Sequence, residues 1–386
     1  MTYKYPVYRP YFNGREKDLV MDCIESTWIS SRGRYISEFE TRFANWLGVR
    51  RATTVSNGTV ALHVALHALG IGPGDEVLVP ALTYVATANA VRYTGATVVL
   101  VDSEPNYWQM DIRDAESKIT ARTKAIIPVH LYGHATDMTA LMALARRKSL
   151  FVIEDCAEAI GTRIEGRNVG TFGDLACFSF FANKTITTGE GGMVVSNDDR
   201  LADRVAQLKS QAVSTSREYW HDEIGFNYRM TNMCAAIGCA QMDMVDELIA
   251  RKQRIADWYK EFLEGVPVHV HETQPDTFHS FWMVSILTQD AKDRDPLRDM
   301  LKEFGVETRP LFHPIHHLDM YKEAHARFPV AEDLSSRGVN LPSYPALMRG
   351  DVATICAPIR AYFERMGNVR ETVSALRDAF EVKASA

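Results

Sequence analysis

Several things are scarce in this chain of 386 residues, and each absence narrows its function. The six cysteines stand at 23, 156, 177, 234, 239 and 356, with no CxxC pair and no dense ladder, so neither a disulfide scaffold nor a zinc ribbon is expected. Reduced thiols in the cytoplasm are the expectation. There is no basic excess: the formal net charge is -6, which argues against a general nucleic-acid binder. The first residues, MTYKYPVYRPYFNGREKD, have no apolar run of the kind a secretory signal carries. The longest stretch without Asp, Glu, Lys or Arg, Ala52 to Gly74, holds Asn57, His63, His67 and four glycines. It reads as a buried helix between loops, and no membrane association is expected. No GxGxxG follows a strand, which disfavours a nicotinamide dehydrogenase.

What is present is ordinary for a globular protein: 46% hydrophobic and 24% charged residues. Short apolar runs alternate with helical patterns. They are EVLVP, ATVVLVD, AIIPV (125–129), LFVIE (150–154), LACFSF (175–180) and GGMVVS (191–196). Such runs fit a mostly parallel sheet covered on both faces by helices, an α/β architecture. Helices are predicted over 35–47, closed by Gly48, over 59–69, and over 137–148 with Asp137 as cap. A long helical stretch from about Asn232 to Phe262 is predicted to connect two domains. The division places 1–250 in a large α/β domain with an N-terminal arm and 251–386 in a smaller α+β domain. In the latter a strand is expected over 279–287, a helix over 296–304 and two helices at 351–366 and 368–382.

Ligands of such sheets bind beyond the carboxyl ends of the strands, so chemistry is sought just after each run. Asp155 follows LFVIE, as a helix cap or as a buried carboxylate that could pair with a cationic ring nitrogen. Lys184 lies between FSFF and a Gly-rich turn. It is either a surface loop lysine or a buried amine whose lowered pKa frees it to attack a carbonyl. Ser56-Asn57-Gly58-Thr59 opens the buried helix, as a plain cap or as an anion site. Tyr84 follows EVLVP, as core or as a stacking surface. In this order, anion site, aromatic, Asp and Lys together describe a site for a phosphorylated pyridine aldehyde, pyridoxal 5′-phosphate.

The segments SNGTVALHVAL, TYVATANAV, VIEDCAEAIGT, FSFFANKTITTGEGGMV and GFNYRMTNMCAAIGCAQ resemble the sugar aminotransferases of the aspartate-aminotransferase fold, the type I pyridoxal-phosphate-dependent transferases. The likeness runs over roughly 6–345. It implies Lys184 as the covalent cofactor lysine and Asp155 at the pyridinium nitrogen. It also implies Tyr84 stacked on the ring, and Gly58, Thr59 and Ser179 as phosphate donors. Asn227 would reach the phosphate of a neighbouring subunit, so a homodimer with sites at the interface is implied. Glu158 would lie near the cofactor, its role left open. Within the family, STWISSRG (26–33), KTITTGEGG and TRPLFHPIH most resemble members that move nitrogen from L-glutamate to C4 of a GDP-linked 4-keto-6-deoxy-mannose, and that activity is what the resemblance implies. The alternatives are another nucleotide-linked keto sugar (dTDP or UDP, C3 or C4) and a non-catalytic cofactor-binding regulator. Trp28, Ser30, Arg32, Arg309 and His313 are the candidate sugar-nucleotide contacts. His313, His316 and His317 also raise a metal reading; Pro314 interrupts them and no Cys or Glu adjoins them in sequence, so no metal is expected.

Overall fold

A computed structural model describes residues 3–322 and 326–365. Its centre is a seven-stranded sheet. In chain order the strands are β1 (Arg51–Val55), β2 (Glu76–Pro80), β3 (Thr97–Val101), β4 (Thr123–Ile126), β5 (Phe151–Asp155), β6 (Leu175–Ser179) and β7 (Gly192–Ser196). Their order across the sheet is β1-β7-β6-β5-β4-β2-β3. Neighbours from β3 through β6 run parallel, and β7 is antiparallel to both β6 and β1. One strand of seven is therefore reversed, as the mostly parallel reading allowed. The strands β2, β6 and β7 are buried throughout, which explains their continuous apolar sequences.

The predicted helices form with small shifts. Arg34–Leu47 buries Phe39, Phe43 and Leu47 and ends at Gly48, whose φ of 85° is the left-handed stop. Gly58–Ala68 is buried nearly all round and lies across the sheet. Met138–Lys148 is capped by the Asp137 carboxylate, which accepts from Ala140 N. The stretch expected as one helix from 232 to 262 is two, Asn232–Met242 and Val245–Phe262. Met244, at φ −124°, leaves the helical region between them. Asp243 there receives Arg15 and Arg42 from the first two helices.

A four-stranded sheet follows, in order Val268–Val270, Val284–Thr288, Gly338–Leu341, Arg309–Pro310, with a core of its own around Ile255, Tyr259, Leu297 and Ile355. The strand expected over 279–287 forms only from Val284. Phe281, at φ 48°, breaks the extended run, and the segment before it turns toward the large sheet. Residues 349–365 are helical, as expected for the first of the last two helices. The helix expected at 368–382 lies outside the described residues.

Candidate active site

The site gathers where the sheet's strands end. β5 delivers Asp155, β6 delivers Ser179, and β1 leads into Asn57 and Gly58; the segment after β2 brings Thr83 and Tyr84. Together they line a cavity of about 560 Å³ that also receives Glu158, Asn183, Lys184, Trp282 and Phe312.

Asp155 is 4% exposed. Its Oδ2 accepts the Thr87 hydroxyl at 2.8 Å and its Oδ1 accepts Ala157 N–H at 3.1 Å. Burial raises its pKa above the usual aspartate value; the two hydrogen bonds and Lys184 oppose that shift. The strand behind it is braced from below. The Glu154 carboxylate accepts the N–H groups of Gly170, Phe172 and Gly173, each at 2.7 Å, and lies 3.2 Å from His130 Nε2. A carboxylate so completely surrounded by donors is structural.

Lys184 is no surface lysine: its side chain is 12% exposed. The Nζ lies 3.7 Å from Glu158 Oε1 and 4.0 Å above the Trp282 ring. Burial lowers the amine's pKa, while Glu158 and Asp155 push it back up. The backbone is fixed on both sides of the side chain. Tyr8 donates its hydroxyl to the Lys184 carbonyl at 2.7 Å, and Trp282 Nε1 donates to the Asn183 carbonyl at 2.7 Å.

Glu158 is 5% exposed, and its other oxygen accepts Tyr132 N–H at 2.9 Å. Burial raises its pKa to about 7, against the pull of Lys184 and the Tyr132 N–H.

The opposite wall is the start of helix Gly58–Ala68. Asn57 caps it by accepting Val60 N–H at 3.0 Å, so the plain-cap reading holds for Asn57. Gly58 and Thr59 line the cavity, and their N–H groups precede the helix's own hydrogen bonding. Close packing excludes larger residues: a Cβ on Gly58 would meet Ser179 Cβ at 2.8 Å, and one on Gly192 would meet the Asn57 carbonyl at 2.5 Å. Tyr84 is exposed on the rim, its ring 5.6 Å from that of Phe312.

The residues fit pyridoxal phosphate. Helix N-terminal N–H groups and the Ser179 hydroxyl suit a dianion. A buried carboxylate suits a protonated ring nitrogen, and a buried amine suits the aldehyde. The Asn183 side-chain oxygen, on the cavity wall, has no protein partner.

Other predicted residues lie elsewhere. Asn227 is exposed, hydrogen-bonded to Arg229, and outside this chain's cavity. Trp28, Ser30 and Arg32 are exposed; Trp28 borders a second cavity of about 410 Å³ with Asp22, Arg34 and Asn232. Arg309 is exposed and paired with Glu307, and His313 is exposed beside Phe312. None of these five lines the main cavity. No Cys or Glu adjoins the histidine segment in sequence, but the fold brings Glu332 to 3.0 Å from His316. That carboxylate is already shared between His316 and Arg327. Sequence reasoning passed over Tyr8, Thr87, Trp282 and Phe312. Thr87 stood inside the quoted TYVATA, one helical turn from Tyr84, and Phe312 inside the quoted TRPLFHPIH; Tyr8 and Trp282 come from distant segments whose local pattern does not point to the site.

The comparisons with known proteins agree with this geometry. The model of the DegT/DnrJ/EryC1/StrS aminotransferase family matches residues 10–360. A GDP-perosamine synthase of Escherichia coli O157:H7 is 56% identical over 358 residues, covering 93% of this chain and 98% of that protein. The structure of S. venezuelae DesV in complex with a ketimine intermediate superposes with a TM-score of 0.87 at 33% identity, covering 92% of this chain and 99% of that one. The PLP-form of the putative sugar aminotransferase Spr1654 from Streptococcus pneumoniae gives a TM-score of 0.90 at 26% identity, covering 94% and 99%. The chain has the type I fold, its cofactor is pyridoxal 5′-phosphate, and it belongs to the DegT/DnrJ/EryC1/StrS aminotransferase family.

Proposed function

We propose that this chain moves an amino group from L-glutamate to C4 of GDP-4-keto-6-deoxy-mannose, giving GDP-perosamine. The observation that carries the reading is the 56% identity, over nearly its whole length, to a GDP-perosamine synthase. When bound, the cofactor supplies an aldehyde for covalent attachment and a ring that accepts electrons as a Cα–H bond breaks. The chain's own groups do the rest. Gly58 N–H, Thr59 N–H and the Ser179 hydroxyl hold the phosphate. Asp155 keeps the ring nitrogen protonated. Tyr84 covers one face of the ring. Lys184 Nζ takes the proton from the glutamate Cα and, in the second half-reaction, returns a proton to C4 of the sugar. One amine serving as both base and acid needs a pKa near the working pH, and burial moves Lys184 in that direction.

The working unit in this reading is a homodimer. Asn227 would reach the phosphate held by the second copy, and Trp28, Ser30, Arg32, Arg309 and His313 would contact the sugar nucleotide at the shared mouth. Their exposure supports this, as do the bare side chains of Tyr219 and Ile224, 93% and 85% exposed near Asn227. Among the described residues, no helix is long and apolar enough to cross a membrane, and all six cysteines are free. Both facts support a cytoplasmic enzyme. The test is to incubate the holoenzyme with glutamate and GDP-, dTDP- and UDP-linked keto sugars, then weigh the products. Conversion of the GDP-linked 4-keto sugar alone supports the reading; preference for a dTDP or UDP sugar defeats it.

A further inference from the structure

Glu158 has no counterpart in the chemistry above, yet it is the carboxylate nearest the reacting amine. It is held, not loose: the chain leaving β5 carries it back under Tyr132, whose N–H fixes Oε2 at 2.9 Å and leaves Oε1 turned to Lys184 Nζ at 3.7 Å. The ionisable groups facing it are Lys184, Asp155 and the Tyr132 phenol. Asp155 has donors of its own in Thr87 and Ala157; Glu158 Oε1 faces only the amine among the contacts described. With Lys184 charged, two buried carboxylates face one buried ammonium, and an ion pair in low dielectric is costly to maintain. Turning the pair neutral removes two buried charges at once. The Trp282 ring, 4.0 Å from Nζ, favours the charged amine and keeps the exchange balanced.

We propose that Glu158 is the proton-exchange partner of Lys184. An Nζ–H bond of the ammonium breaks, its electron pair stays on nitrogen, and an O–H bond forms at Glu158 Oε1. The ion pair becomes a neutral amine and a neutral carboxyl, and the step reverses when the amine needs a proton. A side-chain shift of about 1 Å brings the two atoms to hydrogen-bond distance. The inference rests on Lys184 being the reacting amine.

The test uses the full chain stripped of cofactor, with Lys184 trace-labelled by acetic anhydride across a pH series and read by peptide mass. Replacing Glu158 by Gln keeps the acceptor for Tyr132 N–H and removes the charge. The labelling midpoint of Lys184 is expected to fall by about one pH unit or more in E158Q, and Glu158→Asp is expected to restore part of the shift. An unchanged midpoint in E158Q, or an Asp variant displaced as far as the Gln variant, overturns the proposal. Should E158Q fail to fold, infrared titration of the wild-type chain decides. A protonated-carboxyl band gained as the pH falls through about 7 is expected, and no band in the neutral range overturns it. Neither readout uses a sugar or an amino donor, so a wrong sugar assignment leaves both unchanged. An error about Lys184 itself shows separately, as borohydride fixing the cofactor elsewhere.

Discussion

Lys184 is anchored at its carbonyl by Tyr8 and at the preceding carbonyl by Trp282, so its amine is aimed before any ligand arrives. That arrangement buries the amine and lowers its pKa, and it could not be read from FFANKT, where a loop lysine and a buried one look alike. Lys184→Ala is expected to abolish turnover while retaining noncovalent cofactor, seen as bound pyridoxal phosphate that borohydride fails to fix. Asp155→Asn keeps the shape and the contact with Thr87 but removes the charge proposed to hold the ring-nitrogen proton. Its kcat should drop by roughly 10²–10⁴-fold, the scale of acid–base assistance, with a shifted absorbance spectrum. Asp155 was legible because it ends a continuous apolar run, where a carboxylate has to have partners. Glu158 was visible in the same motif, but its partner lies 26 residues on and only the fold shows that pairing.

The strands of the central sheet were legible because a two-sided buried strand writes itself as an unbroken apolar run. The helices were legible from their periodicity and caps. The reversed direction of β7 was not, since residue pattern carries no direction. Nor was the break at Met244, where an apolar residue continues the helical spacing while the backbone leaves it. The N-terminal arm was expected, but not its contact with the site: it has little pattern of its own, yet Tyr8 reaches the loop that carries Lys184. Tyr8→Phe removes one hydrogen bond to that loop. A loss of about 1 kcal/mol in urea unfolding is expected, with kcat reduced and cofactor still attached.

A second linkage at this scale joins the segment before Val284 to the large sheet. His279 Nδ1 accepts Phe281 N–H at 3.0 Å, so its Nε2 carries the proton and donates to His271 Nδ1 at 3.3 Å; His271 Nε2 then donates to the Tyr107 carbonyl at 3.0 Å. Beside them His134 donates from Nδ1 to the Ala135 carbonyl and accepts Gln274 N–H at Nε2. All three rings are neutral in these roles, and burial holds their pKa values below the ordinary 6.5, to about 4 for His134. The unfolded chain takes up protons first as the pH falls through 6.5, and the folded chain does not. Stability is therefore full above that value and declines below it, each ring adding about 1.4 kcal/mol per pH unit. The melting temperature should fall steeply from pH 6.5 to pH 5, and His271→Gln should flatten the slope; a pH-independent melt of the wild type contradicts the network.

For the whole molecule, exposed aromatic and aliphatic side chains cluster at the cavity mouth and on the loop beside Asn227. Tyr84 and Phe181 are exposed at the cavity mouth, and Tyr219 and Ile224 lie bare on the loop beside Asn227, with Trp220 half-exposed under Arg217. Sedimentation is expected to give twice the mass of 43.4 kDa, and Ile224→Glu to weaken association and lower activity together. The sequence conveyed the family and the cofactor because those depend on a few residues at strand ends. It conveyed little about the sugar-nucleotide contacts, since exposed Trp28, Arg32 and Arg309 carry no burial pattern.

The central claim is that the amine of Lys184 carries the cofactor beside a buried Asp155. Borohydride reduction of the yellow holoenzyme, followed by digestion and peptide mass mapping, tests it in one step. The account predicts a single reduced phosphopyridoxyl adduct, on the FSFFANK segment at residue 184. An adduct on any other lysine, or none after the protein has been supplied with the cofactor, would contradict it.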